Sequence, residues 1–180
     1  MDPKEKAVDS YVWGEEEILH GFDPSHEYTY KLLKPKKGRQ GCLSLQYHRH
    51  KSETWLVAKG IAWGITIIGD AVQTYVLHPG DHLNLPAGTI HRLMAVTDDC
   101  IVAESSTPDK YAADKSIEKD VIRLHCVHGR ECVLPDEVFK SKQVLAAIHA
   151  TEAAIADIEA GKVPEEVSCN GVADPKNYTI

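Results

Sequence analysis

Two stretches decide the reading of this chain: "SLQYHRHKSETWLVAKG", residues 44–60, and "GDHLNLPAGTIHRL", residues 80–93. In the first, Gln46, His48 and His50 alternate, which on a strand turns all three to one face and Arg49 to the other. A turn at Lys51-Ser52 would return Glu53 on a paired strand beside His48. In the second, Gly80-Asp81 signals a turn, His82 to Leu85 alternates as a short strand, and Pro86-Ala87-Gly88 makes a tight corner. His91 follows at the start of the next strand, where a stiff corner leaves it little entropy to lose. Any one of these histidines alone reads as a polar residue on a half-buried strand. The whole pattern, with Gly60 closing one stretch and Gly80 opening the other, reads as a shell for one divalent metal. The expected ligands are Gln46, His48, Glu53 and His91. Imidazole, carboxylate and amide oxygen suit zinc first, with manganese, iron, cobalt or nickel as alternatives.

Outward from these stretches the chain is strand-rich, then helical, then irregular. Residues 27–34, 41–48, 53–58, 61–68, 71–77, 82–85, 90–97 and 100–105 read as short strands separated by Gly, Pro and Asp signals. Strands at this spacing predict an all-β sandwich or barrel. After Pro135 the pattern changes. Asp136 is a candidate helix cap, Val144, Ile148, Thr151, Ile155 and Ile158 share a helical face, and Gly161 supplies a stop. Residues 162–180 read as loop. The expected division is a barrel with an N-terminal arm over 1–134, then a helix and irregular tail over 135–180.

The span from Glu53 to Gly60 and the pattern G-x5-P-x-G-x2-H from Gly80 to His91 resemble the two signature segments of the cupin superfamily. More narrowly, "LSLQYHRHKSETWLVAKG" and "LPAGTIHRL" resemble the isomerase domain of type II phosphomannose isomerases, a domain that often sits behind a mannose-1-phosphate guanylyltransferase. The resemblance runs from about Trp13 to Arg130 and includes "DVIRLHCVHGR", residues 120–130. It implies a double-stranded β-helix, or jelly-roll barrel, and the helical tail after Pro135 is extra to the family's pattern. It also implies that Arg123 and Arg130 face a sugar phosphate, which a planar guanidinium clamps well. The competing reading is that both brace the connection to the helix through surface ion pairs. His125 and His128 flank Cys126 but lack a fourth ligand, so they read as exposed or core-packed. The family's usual "HHHRAEHW" is "HRHKSETW" here, so Lys51 replaces an arginine and Thr54 a histidine beside the metal carboxylate, and a different sugar is open.

Composition sets bounds. A length of 180 residues suits one domain with a proper core and leaves no room for a guanylyltransferase. A net charge of −7 argues against a nucleic-acid surface. No apolar run is long enough to span a bilayer, and the acidic, lysine-containing N-terminus does not read as a signal peptide. Cys42, Cys100, Cys126, Cys132 and Cys169 are scattered without a CxxC pair, as expected of free thiols in the cytoplasm.

The chemistry implied by the resemblance is aldose–ketose isomerisation of a sugar or sugar phosphate. A metal polarises the substrate oxygen while a base moves the proton alpha to the carbonyl through an enediol. His50, sharing a face with His48, and Glu104, alternating with Val102, are the candidate bases, with Lys51 beside them as a catalytic or substrate-binding cation. For Glu104 a rim salt bridge is the equal alternative. An iron-dependent dioxygenase and a non-catalytic carbohydrate-binding cupin are the competing functions. Cupins commonly pair, and the C-terminal helix offers a surface for a homodimer.

Overall fold

Alternating apolar residues build most of the chain into strands. The computed structural model describes residues 7–21, 25–108, 119–132 and 141–170. In order these are β1 (Ala7–Tyr11), β2 (Gly14–His20), β3 (Thr29–Pro35), β4 (Leu45–His48), β5 (Glu53–Lys59), β6 (Ala62–Ile68), β7 (Ala71–Leu77), β8 (His82–Leu85), β9 (Ile90–Ala95), β10 (Ile101–Ser106), β11 (Val121–His125), α1 (Lys142–Glu159) and β12 (Ser168–Asn170). They form two six-stranded sheets, ordered β1-β2-β3-β10-β5-β8 and β11-β4-β9-β6-β7-β12. All named pairs are antiparallel. This is the expected jelly roll.

Two cores follow from the two faces of the second sheet. Leu33, Trp55, Val57, Leu85 and Val102 from the first sheet, with Trp13 of the turn between β1 and β2, meet Ala62, Leu77, Leu93 and Ala95 from the second. On the other face Trp63, Ile65, Met94, Ile122 and Leu124 pack against Val144, Ala147, Ala154, Ile155 and Ile158 of α1. β6 is therefore covered on both sides, and its sequence "AWGITII" lacks the alternation of a half-exposed strand.

α1 begins at Ser141, whose side chain accepts the Val144 N–H at 3.2 Å. The proposed cap at Asp136 lies outside the described residues. The predicted stop holds: Gly161 has φ +76°, and the bonds Gly161 N–H to Ile158 O (3.0 Å) and Lys162 N–H to Asp157 O (2.8 Å) form a Schellman ending. Arg92, fully buried, ties the helix to the sheet by donating to Thr151 Oγ1 at 2.9 Å and His125 O at 2.9 Å.

Several expectations need correction. Residues 41–48 are strand only from Leu45. The segment before it makes a 3-10 turn, Gly38–Gly41, and a Cβ on Gly41 would lie 1.5 Å from Lys36 O. Residues 168–170 of the expected loop pair with β7. Glu53 is not on a hairpin partner of His48: β4 and β5 belong to opposite sheets, and the two side chains meet across the sandwich.

Candidate metal centre

The inner faces of β4, β5 and β9 converge on one group of ligand atoms. His48, Glu53 and His91 are 6%, 5% and 3% exposed, and one donor atom from each lies within 4.8 Å of the others. Among the described residues this is the one such cluster of three or more His, Cys, Asp or Glu. Glu53 Oε1 is 3.0 Å from His48 Nε2, and Glu53 Oε2 is 3.6 Å from His91 Nε2. Both Nε2 atoms are sealed from solvent yet make no well-directed hydrogen bond. Each remaining nitrogen is held: His91 Nδ1 lies 2.8 Å from the Thr89 carbonyl, and His48 Nδ1 lies 3.2 Å from Asp120 Oδ2. Those acceptors require Nδ1–H, which leaves both Nε2 lone pairs aimed at the cluster. This is the ligand tautomer a metal needs, and the residues fit a divalent cation.

The local sequence explains the placement. Gly88, at φ +85°, turns the Pro86-Ala87-Gly88 corner so that its N–H reaches His48 O at 2.7 Å, joining the two motifs directly. Trp55 donates its indole N–H to Glu53 Oε2 at 3.0 Å and stands edge-on to the His91 ring at 5.2 Å. Gln46 sits opposite His91 in the β4–β9 pairing and two residues before His48, so it shares their face.

A line of buried charges continues from the cluster. Lys51 Nζ lies 2.5 Å from Glu53 Oε1 and 3.4 Å from Glu104 Oε1, and Glu104 Oε1 lies 3.3 Å from Lys31, which also meets Glu16 at 2.8 Å. Burial alone would raise the Glu53 carboxyl. The Lys51 ammonium, with the His48 and His91 rings beside the carboxylate, outweighs it and holds the carboxyl well below the usual range. Burial lowers the Lys51 ammonium, but Glu104 and Glu53 win and raise it. Burial pushes the His91 imidazole down despite Glu53 and the Thr89 carbonyl.

The remaining candidates separate. His50 is exposed and lies beyond the end of β4, so it does not share the face of His48. Glu104 is 3% exposed, inside the sandwich rather than on its rim. Arg123 pairs with Gln46 in register, and its Nε is buried without a partner. Arg130 is occupied by Ser44 Oγ at 2.7 Å and Cys126 Sγ at 3.2 Å, yet it lines a cavity of about 510 Å³ with Arg49, Lys119, Arg123 and Glu131. His125 packs on Arg92, with Arg92 Nη2 at 2.8 Å from its Nδ1, and burial with that cation pushes it down to about 4. Asp120, Lys31 and Arg92 were not singled out from sequence. For Lys31, a cation alternating with Leu33 on an inward face was the available signal.

A jelly roll with two imidazoles and a carboxylate converging between its sheets defines a cupin with a metal-type site. Residues 4–103 match the family described as mannose-6-phosphate isomerase C-terminal, and the chain belongs to it. No curated protein matches the chain in sequence. Among solved structures, the capsular polysaccharide assembling protein CapF from Staphylococcus aureus aligns at 16% identity and TM-score 0.54, over 67% of this chain and 34% of CapF. A variant of Streptomyces PAC13 with uridine aligns at 11% identity and TM-score 0.51, over 68% and 87%. A variant of Bacillus subtilis oxalate decarboxylase aligns at 16% identity and TM-score 0.51, over 66% and 30%. The chain thus spans about a third of CapF, and these likenesses concern the fold. No described helix is long and apolar enough to cross a membrane.

Proposed function

We propose that the protein is a metal-dependent aldose–ketose isomerase acting on a sugar or sugar phosphate. The observation that carries this reading is the pair of buried, unbonded Nε2 atoms facing Glu53, beside a buried ammonium and a second carboxylate. His48, Glu53 and His91 would hold the ion, with Gln46 as the fourth donor, and zinc is the proposed metal. When bound, the ion supplies Lewis-acid polarisation of a substrate oxygen.

The chain's own groups supply the rest. Glu104 is better placed than His50 to move the proton alpha to the carbonyl, because it is buried next to the ligand carboxylate's partner Lys51. Lys51 neutralises Glu53 and Glu104 and offers N–H donors to a substrate oxygen. Arg123, with an unpaired Nε on the same sheet face as Gln46, is the proposed contact for an anionic substituent. Arg130 already serves Ser44 and Cys126, so it shapes the basic cavity and contributes less to binding.

The test is to screen mannose-6-phosphate and free aldoses for ketose formation, with metal content measured on the same sample. Turnover in a zinc-containing protein, abolished in Glu104→Gln with the metal retained, supports the reading. One equivalent of iron without isomerisation directs the function to oxygen chemistry instead, and metal without any turnover directs it to carbohydrate binding.

A further inference from the structure

We infer that Asp120 is a positioning residue of the metal centre: its carboxylate fixes the tautomer of His48 and holds the turn that carries Lys51, and so sets the affinity for a divalent cation. The inference rests on the metal-binding reading above. Asp120 is 8% exposed and lies just before β11, yet its contacts gather on four consecutive residues far away in sequence. Oδ2 lies 3.2 Å from His48 Nδ1 and accepts the Lys51 N–H at 3.2 Å. Oδ1 accepts the His50 N–H at 2.8 Å, and the Asp120 carbonyl accepts the Arg49 N–H at 3.1 Å.

Backbone N–H groups only donate, so both carboxylate oxygens are committed as acceptors. His48 must then present Nδ1–H to Oδ2, and its Nε2 lone pair is left for the cation. An asparagine cannot reproduce this. With its NH₂ at the Oδ2 position it donates to His48 Nδ1 and moves the ring proton to Nε2, blocking the ligand atom. With its NH₂ at the Oδ1 position it opposes the His50 N–H and loosens the turn. The same carboxylate anchors the backbone of Lys51, whose ammonium reaches Glu53 and Glu104. One side chain thus places a ligand imidazole and the cation that balances the ligand carboxylate.

The test compares Asp120→Asn with the wild type by zinc affinity in chelator competition and by 15N NMR of the His48 tautomer in the metal-free protein. Partners that orient ligand histidines typically govern 10–100-fold in affinity, so a loss of roughly that size is expected, with His48 moving from Nδ1–H to Nε2–H. Equal affinity with an unchanged tautomer overturns the assignment. If the variant does not fold, the wild type still decides: Nε2–H on His48 in the metal-free wild type overturns the assignment, and Nδ1–H supports it. A wild type that binds no zinc sinks the metal reading instead, and the tautomer shift, read without metal, still judges Asp120 separately.

Discussion

Replacing Lys51 by Met keeps the length of the side chain and removes a buried charge from between two carboxylates. The ammonium lies 2.5 Å from Glu53 Oε1 and 3.4 Å from Glu104 Oε1, and the residue is 9% exposed. Breaking a buried pair by removing one partner costs about 3–5 kcal/mol. Glu104 keeps Lys31 at 3.3 Å, and metal-free Glu53 keeps the Trp55 indole N–H at 3.0 Å, so the lower end, about 3 kcal/mol, applies. With a urea slope of about 2 kcal/mol/M, the midpoint of unfolding of the metal-free protein falls by about 1.5 M at pH 7. The sign with pH follows from the depressed Glu53 carboxyl. Its stabilisation is present above the unfolded pKa of about 4.3 and is lost as pH falls through the lower folded value. The deficit of Lys51→Met therefore persists down to about pH 4 and shrinks only below it, towards the lower folded value, and it also narrows in saturating zinc, which neutralises the same carboxylate. Lys51→Arg, which keeps the charge, should lose far less. A midpoint within about 0.3 M of wild type at pH 7 would refute the reasoning.

Further outcomes follow from the same geometry. Thr151→Val leaves Arg92 Nη1 buried without its acceptor and should cost about 1–3 kcal/mol in chemical denaturation. Stability of the metal-free protein should fall from about pH 6.5 towards pH 4, because unfolded histidines take up protons that His91 and His125 resist when folded. His125→Ala should flatten that slope, measured by urea midpoints across the range. Arg123→Ala should keep the metal and weaken a phosphorylated ligand while sparing its neutral sugar, read by calorimetry. Trp55→Phe removes the indole donor to Glu53 and should lower zinc affinity by roughly 10-fold without losing the site.

The sequence shows the parts of this molecule that local pattern dictates. Eight strands were legible because apolar residues alternate or run together between Gly, Pro and Asp breaks. The hairpin of β1 and β2 was not. β1 is exposed throughout and has no core-facing alternation, while the run Glu15-Glu16-Glu17 reads as a solvated surface. In the fold Glu16 and Glu17 are bound by Lys31 and Lys34 of the next strand. β12 depends on pairing with distant β7, which no local signal announces. In the site, His48, Glu53 and His91 stood out by residue type and spacing. Their route into contact was misread, because a short turn suggests a hairpin while this one crosses between sheets. His50 fails for a related reason: the alternation that would align it with His48 stops when β4 ends. Asp120 and Lys31 were invisible because a buried charge is recognised by its partners, and those partners come from other strands.

The most direct test of the account is the metal content of the purified protein by mass spectrometry, beside that of Glu53→Ala. The account predicts close to one equivalent of a divalent transition metal in the wild type and near none in the variant. Equal metal in both proteins, or none in the wild type after incubation with zinc, would contradict it.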